Sequence, residues 1–173
     1  MQTLATIGYE GASLEDFLAT LLLAEVKRVI DIRELPQSRR RGFSKNILAR
    51  ALEVHGIAYS HIRALGDPKH GREAARAGRF DEFRQIFYAH IDRPEARDAL
   101  ALAATLAGEA RSALLCYERN PKHCHRSIVA DRLNVLYTFQ VNHLGVVNGE
   151  AKRQFRTVGR EGGGSDCTEL HSS

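Results

Sequence analysis

SALLCYERNPKHCHRSIVADRLNVLY, residues 112–137, decides the fold. Ala113, Leu114 and Leu115 make a short β-prone apolar run. Ile128, Val129, Ala130, Leu133, Val135 and Leu136 follow with a helical pattern. Between them lie two thiols, two imidazoles, a carboxylate and two guanidiniums, from Cys116 to Arg126. A strand that runs into a helix through so short a polar turn is the unit of an α/β protein. Ligands bind at that turn because the helix N-terminus presents unpaired N–H groups beyond the carboxyl end of the strand.

Outward from this unit the same alternation repeats. Thr3–Ile7 reads as a strand closed by Gly8-Tyr9-Glu10-Gly11, and Ser13-Leu14-Glu15-Asp16 is a capping-box-like helix start. Leu14, Phe17, Leu18, Leu21 and Leu22 repeat with helical spacing. Val26–Ile32 is a second strand, stopped by Pro36, and an Arg-rich loop runs to Gly42. Ser44 caps a helix that Gly56 ends, and Ile57–Ile62 is a third strand. Residues 64–79, rich in Gly and Arg, read as a long loop. Phe80, Phe83, Ile86 and Phe87 mark a helix, and Pro94 opens an Ala/Leu-rich one. Ser112–Tyr117, Cys124–Tyr137 and Gln140–Val147 complete the order as strand, helix and strand.

Alternating strands and helices pair in parallel through right-handed crossovers. The expected fold is a three-layer open α/β sheet of about five mainly parallel strands with helices on both faces. Residues 1–149 form its single domain, and residues 150–173, with Gly162-Gly163-Gly164-Ser165, form a flexible tail that holds Cys167 and His171.

The chain has 173 residues, 25 basic against 21 acidic. The surplus is small but uneven. Residues 26–50 hold eight basic side chains against Asp31 and Glu34, which makes either an anion-attracting face or a solvated loop and helix surface. Three cysteines do not form a disulfide framework, and no apolar stretch is long enough to span a bilayer. A soluble protein of a reducing cytoplasm with no membrane partner is expected. Oligomeric state is not encoded in any pattern found here.

A parallel sheet gathers the carboxyl ends of its strands at one edge. Tyr9 and Glu10 come from the first strand, Asp31, Arg33, Ser38 and Arg39 from the second, and Tyr59 or His61 from the third. Cys116, Glu118 and the loop to Cys124 come from the fourth. Glu10, Asp31, Glu118, Cys124 and His125 are the candidate catalytic groups; Tyr9, Arg33, Ser38, Arg39 and Arg126 are the candidates to hold substrate. Each also has a structural reading. Asp31 can pair with Arg33, Glu10 can cap the next helix, and Tyr9 and Tyr117 can be core rings with bonded hydroxyls. Cys116 suits a small buried hydrophobe, whereas the helix dipole and neighbouring cations favour a reactive thiolate at Cys124. The spacings Cys-x7-Cys and His-Cys-His match neither a Cys-x2–4-Cys knuckle nor a helical His-x3-His pair. No metal and no cofactor are therefore expected.

At Thr6-Ile7-Gly8-Tyr9-Glu10-Gly11, Asp31-Ile32-Arg33 with Pro36, Ser38-Arg39, Gly42-Phe43-Ser44-Lys45, Gly56-Ile57-Ala58-Tyr59, Leu65-Gly66, Cys116-Tyr117-Glu118 and His123-Cys124-His125-Arg126, the chain resembles a known family. It is catalogued as domain of unknown function 488. The resemblance runs from Thr6 to about Val146. It implies a compact α/β domain and no particular activity.

Three functions remain open on these residues. The first is an enzyme that acts on a phosphate-bearing substrate, a nucleotide or nucleic acid, with arginines on the anion and carboxylates or His125 moving protons. The second is a non-catalytic module that binds nucleic acid through residues 26–50. The third is cysteine-dependent redox or sulfur transfer through Cys116 and Cys124. The expected partner is an anionic small molecule or a nucleic acid.

Overall fold

A strand buried on both faces needs apolar side chains of both parities, and the first strand has them. In the computed structural model, which describes residues 2–154, β1 (Thr3–Gly8) sends Leu4 to one face of the sheet and Ala5 and Ile7 to the other. In β2 (Arg28–Asp31), Ile30 and Val29 divide the same way. So do Leu114 and the pair Ala113 and Leu115 in β4 (Ser112–Cys116). With β3 (Ala58–His61) and β5 (Gln140–Leu144) they build a five-stranded sheet of order β3-β2-β4-β1-β5. Every pairing is parallel, with Gly8 opposite Cys116 and Asp31 opposite both Leu115 and His61.

Helices cover both faces. α1 (Leu14–Leu23) and α2 (Lys45–Val54) bury Phe17, Leu18, Leu21, Leu48 and Leu52 against Ile7, Val29 and Leu115. α4 (Phe80–Ile91), α5 (Pro94–Glu109) and α6 (His125–Tyr137) bury Phe83, Phe87, Leu100, Val129 and Leu133 against Leu4, Ile30 and Leu114. Each of these large side chains is at most 2% exposed, except Leu18 at 8%. Their burial stabilises the fold by about 1.5–3 kcal/mol apiece. Ser13 makes the expected N-cap bond, its Oγ accepting from the Asp16 N–H at 3.1 Å, while the Asp16 carboxylate turns to Gly149 and Ala151 instead of closing a capping box. Ser44 takes the N-cap position of α2, but its hydroxyl bonds the Ser38 backbone instead, accepting from its N–H at 3.1 Å and donating to its carbonyl at 3.2 Å. The cap residue thus fixes the Arg-rich loop rather than the helix.

Two expectations are corrected. The supposed loop at 64–79 contains a 3-10 turn (Arg63–Leu65) and α3 (Lys69–Arg76). Its apolar signal is too thin to read because α3 buries only Gly71 and Ala74. The chain also keeps its order past 149. Residues 150–154 are helical, and the Asp16 carboxylate accepts the Gly149 and Ala151 N–H groups at 2.9 and 3.0 Å. Those N–H groups hold the Asp16 carboxyl below its ordinary value. Cys167 and His171 lie outside the described residues. No helix among the described residues is long and apolar enough to cross a membrane.

Candidate functional site

The parallel strands open their carboxyl ends into a cleft of about 1040 Å³. The loop after β1 supplies Tyr9 and Glu10, and the loop after β2 supplies Arg33, Ser38, Arg39 and Arg40. Cys116, Glu118, His123 and His125 come from the end of β4 and the start of α6, which follows a short 3-10 turn (Pro121–His123). Asp67, Arg72, Arg76 and Phe80 line the remaining wall from α3 and the start of α4. Of the ten residues singled out in the sequence, Tyr9, Glu10, Arg33, Ser38, Arg39, Glu118 and His125 line the cleft; Asp31, Cys124 and Arg126 do not.

Asp31 is a buried counter-ion. It is 0% exposed, and its carboxylate accepts Arg33 Nε at 2.9 Å, Arg33 Nη2 at 2.6 Å, the Arg33 backbone N–H at 3.1 Å and the Tyr59 hydroxyl at 2.5 Å. Burial opposes the charge on Arg33, but Asp31 overrides that and keeps the guanidinium protonated. Burial, reinforced by Asp31, raises the Tyr59 phenol well beyond its usual range. Arg33 Nη1 donates to Tyr9 Oη at 3.0 Å and to the Phe43 carbonyl at 2.8 Å, while the Tyr9 and Phe43 rings stack at 4.4 Å. Arg33 therefore props the Tyr9 wall, and most of its donors are already used.

Arg126 is an internal clamp, not an anion grip. It is fully buried and donates to the carbonyls of Glu118 and Arg119 and to Thr6 Oγ1 at 3.3 Å. The guanidinium fork suited to a phosphate here holds the loop that carries Glu118. Gly8 makes room for this: a Cβ there would lie 1.9 Å from the Glu118 carbonyl oxygen and 3.0 Å from Arg126 Nη1. Gly8→Ala is expected to cost about 1–3 kcal/mol through overpacking, read as a lower urea midpoint. An unchanged midpoint would show that the loop gives way freely.

The Cys124 side chain also departs from expectation. It stands at the N-cap of α6 and accepts the Arg126 N–H at 3.5 Å, but it is 1% exposed. Burial raises both the Cys124 and Cys116 thiols, so neither is a ready thiolate, and the local dipole does not overcome the missing solvent. Cys116 has the same parity on β4 as Leu114 and faces α6. Its Sγ lies 3.5 Å from His125 Nδ1 and 3.2 Å from Glu118 Oε2, and Cys124 Sγ lies 3.9 Å from the same ring nitrogen. Donor atoms of Cys116, Cys124 and His125 fall within 4.8 Å of one another. The linear spacing that argued against a metal is bypassed, because the strand-to-helix turn folds the two ends of the segment together. Burial opposes charge on His125, but Cys124, Glu118 and Asp67 raise it to about 9. Burial likewise opposes charge on Glu118, yet His125 and the two thiols bring its pKa below the ordinary value.

Asp67 and its neighbours are the residues that the sequence reading missed. Asp67 is 5% exposed, and among the described residues its Oδ1 has no hydrogen-bond partner. That oxygen lies over Gly71, where a Cβ would be 2.0 Å away. Burial raises its carboxyl to about 6, against the pull of His125. Arg72 is tied to Glu34 and to the Asp67 carbonyl, and Arg40 to the Ala12 carbonyl. Arg39 and Arg76 are exposed and, among the described residues, have no hydrogen-bond or ion-pair partner. At the rim, Phe80 stacks on His123 at 4.2 Å with the planes 12° apart. The signal for this wall was present in Gly66-Asp67-Pro68 followed by Arg72 and Arg76, a turn and then two cations at helical i, i+4 spacing.

The family model described as Domain of unknown function DUF488 matches residues 13–133. The chain belongs to the DUF488 family. The match begins beyond β1 and ends within α6, so Tyr9 and Glu10 fall outside it while Asp31, Arg33, Asp67, Glu118, Cys124 and His125 fall inside. No curated protein and no solved structure matches the chain. The three-layer α/β fold of this DUF488 domain therefore stands on its own strand order and core.

Proposed function

We propose that this DUF488 domain is an enzyme that binds a phosphate-bearing substrate, a nucleotide or nucleic-acid strand, in the cleft at the strand ends. One observation carries the reading: Arg39 and Arg76, guanidiniums with no partner among the described residues, share a single cleft with the buried carboxyl of Asp67. Guanidiniums with no internal partner suit phosphate oxygens. A carboxyl held near neutrality suits proton transfer to or from a reacting group. The Phe80–His123 stack offers a flat face to a base, and the cleft volume is of the size that ligand sites take. Glu10 and Glu118 add carboxylates beside it. Burial of both thiols weighs against cysteine-centred chemistry.

Turnover and thermal-shift measurements over nucleotides, phosphate monoesters and diesters, and short oligonucleotides test the reading. Turnover of at least one class is expected. Binding that falls steeply with salt, without turnover, would favour the non-catalytic nucleic-acid module; neither turnover nor binding would defeat both. Arg39→Ala and Arg76→Ala are each expected to weaken ligand affinity about tenfold to a hundredfold, the worth of one charge-assisted hydrogen bond. Because both side chains are exposed, urea midpoints should stay put, and unchanged affinity in both variants would move the anion elsewhere.

A further inference from the structure

We propose that Cys116, Cys124 and His125 form a mononuclear site for a zinc-class divalent cation, with one coordination position open to the cleft. The argument is geometric. Tetrahedral zinc with sulfur ligands at about 2.3 Å and a nitrogen ligand at about 2.0–2.1 Å places sulfur and nitrogen about 3.5 Å apart along an edge. The two sulfurs stand 3.5 and 3.9 Å from His125 Nδ1, so the two sulfur–nitrogen edges of such a tetrahedron are nearly in place. All three side chains are buried, and their donor atoms lie within 4.8 Å of one another.

The surroundings prepare these atoms as ligands. His125 Nε2 lies 2.8 Å from the Ile32 carbonyl oxygen, which accepts its proton and leaves Nδ1 turned toward the sulfurs. This is the outer-shell contact that fixes the ring of a metal-bound histidine. The Arg126 backbone N–H donates to Cys124 Sγ, a bond that suits a thiolate better than a thiol. Binding breaks both S–H bonds and the Nδ1–H bond of the protonated His125, forms two metal–sulfur bonds and one metal–nitrogen bond, and releases the three protons to solvent. Two thiolates cancel the charge of a divalent cation, so the core gains no net charge. Two sulfurs and an imidazole select zinc over magnesium or calcium, which take oxygen.

Cys116 and His125 line the cleft and Cys124 does not, so the fourth position faces the cleft beside Glu118. Three protein ligands with one open position is the pattern of catalytic rather than structural zinc. Water takes that position, and Glu118, whose Oε2 is 3.2 Å from Cys116 Sγ, is placed to accept its hydrogen bond. The site stands whether or not the cleft's substrate carries phosphate.

The test uses the full chain, expressed with zinc in the medium and purified without an affinity tag or chelator. Metal analysis should find stoichiometric zinc that survives gel filtration, and cobalt(II) should replace it with thiolate-to-cobalt charge-transfer absorption. Cys116→Ser, Cys124→Ser and His125→Gln should each weaken zinc more than the about 10- to 100-fold that outer-shell partners carry. Cys167→Ser should keep it. If those variants do not fold, the wild-type chain still decides: added zinc must raise its melting temperature and protect two thiols from alkylation. A zinc-free chain with alkylatable thiols, or a Cys116–Cys124 disulfide in the freshly purified protein, overturns the proposal. Zinc without turnover would sink the proposed enzyme and leave the metal site intact.

Discussion

Asp31→Ala is expected to destabilise the domain by about 3–5 kcal/mol, because it strands a buried guanidinium without its counter-ion. Arg33 is 5% exposed, and it would lose the partner of Nε and Nη2 while Nη1 stayed bound to Tyr9 and Phe43. The Tyr59 hydroxyl would lose its acceptor at the same time. The measurement is the urea midpoint at unchanged slope. The double variant Asp31→Ala with Arg33→Met should recover part of the loss, because no charge is then left unpaired. A loss below about 1 kcal/mol, the worth of a solvated surface pair, would show that water reaches the site. Ligand affinity gives a second readout: in the double variant, loss of the Arg33 prop should loosen the Tyr9 wall and lower affinity even as part of the stability returns.

Asp67→Asn is expected to lower turnover about 100- to 10,000-fold, the range that a positioned acid or base supplies. Affinity should not fall, because the change removes a negative charge from a cleft proposed to hold an anion. The same variant has a stability signature that needs no substrate. The native carboxyl titrates near 6, above its ordinary 3.8, chiefly because burial disfavours its charge. Stability from the retained proton is therefore fully present below 3.8 and is lost as pH rises through about 6. A shift of that size corresponds to about 3 kcal/mol. Urea midpoints of chelator-treated protein should fall across this window in the wild type. In Asp67→Asn that component should be missing. Parallel pH profiles for the two proteins would remove Asp67 as a raised carboxyl.

Much of the fold is legible in the chain, for a physical reason. Leu4, Ile7, Val29, Ile30, Leu114 and Leu115 are buried from both faces, and such strands must be apolar throughout, so their runs stand out. α1 repeats apolar residues at helical spacing because it rests one stripe on the sheet, whereas in α6 Ile128, Val129, Ala130 and Leu133 are buried but Val135 and Leu136 stand exposed. α3 was illegible because it packs Gly71 and Ala74, small residues that leave no periodic signal. With α3 went Asp67, Arg72 and Arg76, a whole wall of the cleft.

The sequence also told which residue types gather at the strand ends, but not which of them face solvent. Strand parity and the αβ order place Tyr9, Glu10, Arg33 and Glu118 at one edge, and the cleft there includes all four. Nothing local distinguishes Arg39, which is exposed and has no partner among the described residues, from Arg126, which is buried against the Glu118 and Arg119 carbonyls. That difference arises from a contact across 120 residues, Arg126 to Thr6, and from the space left at Gly8. The same holds for Cys116 and Cys124. Their spacing matches no metal motif, yet both reach His125 because β4 and α6 pack face to face. Hydrophobic periodicity by itself determined the three-layer sheet and the edge where the polar residues gather, because backbone geometry repeats along the chain. Only tertiary packing decided which charges face the open cleft and which meet each other, because burial and long-range partners belong to the folded surface and not to any local pattern.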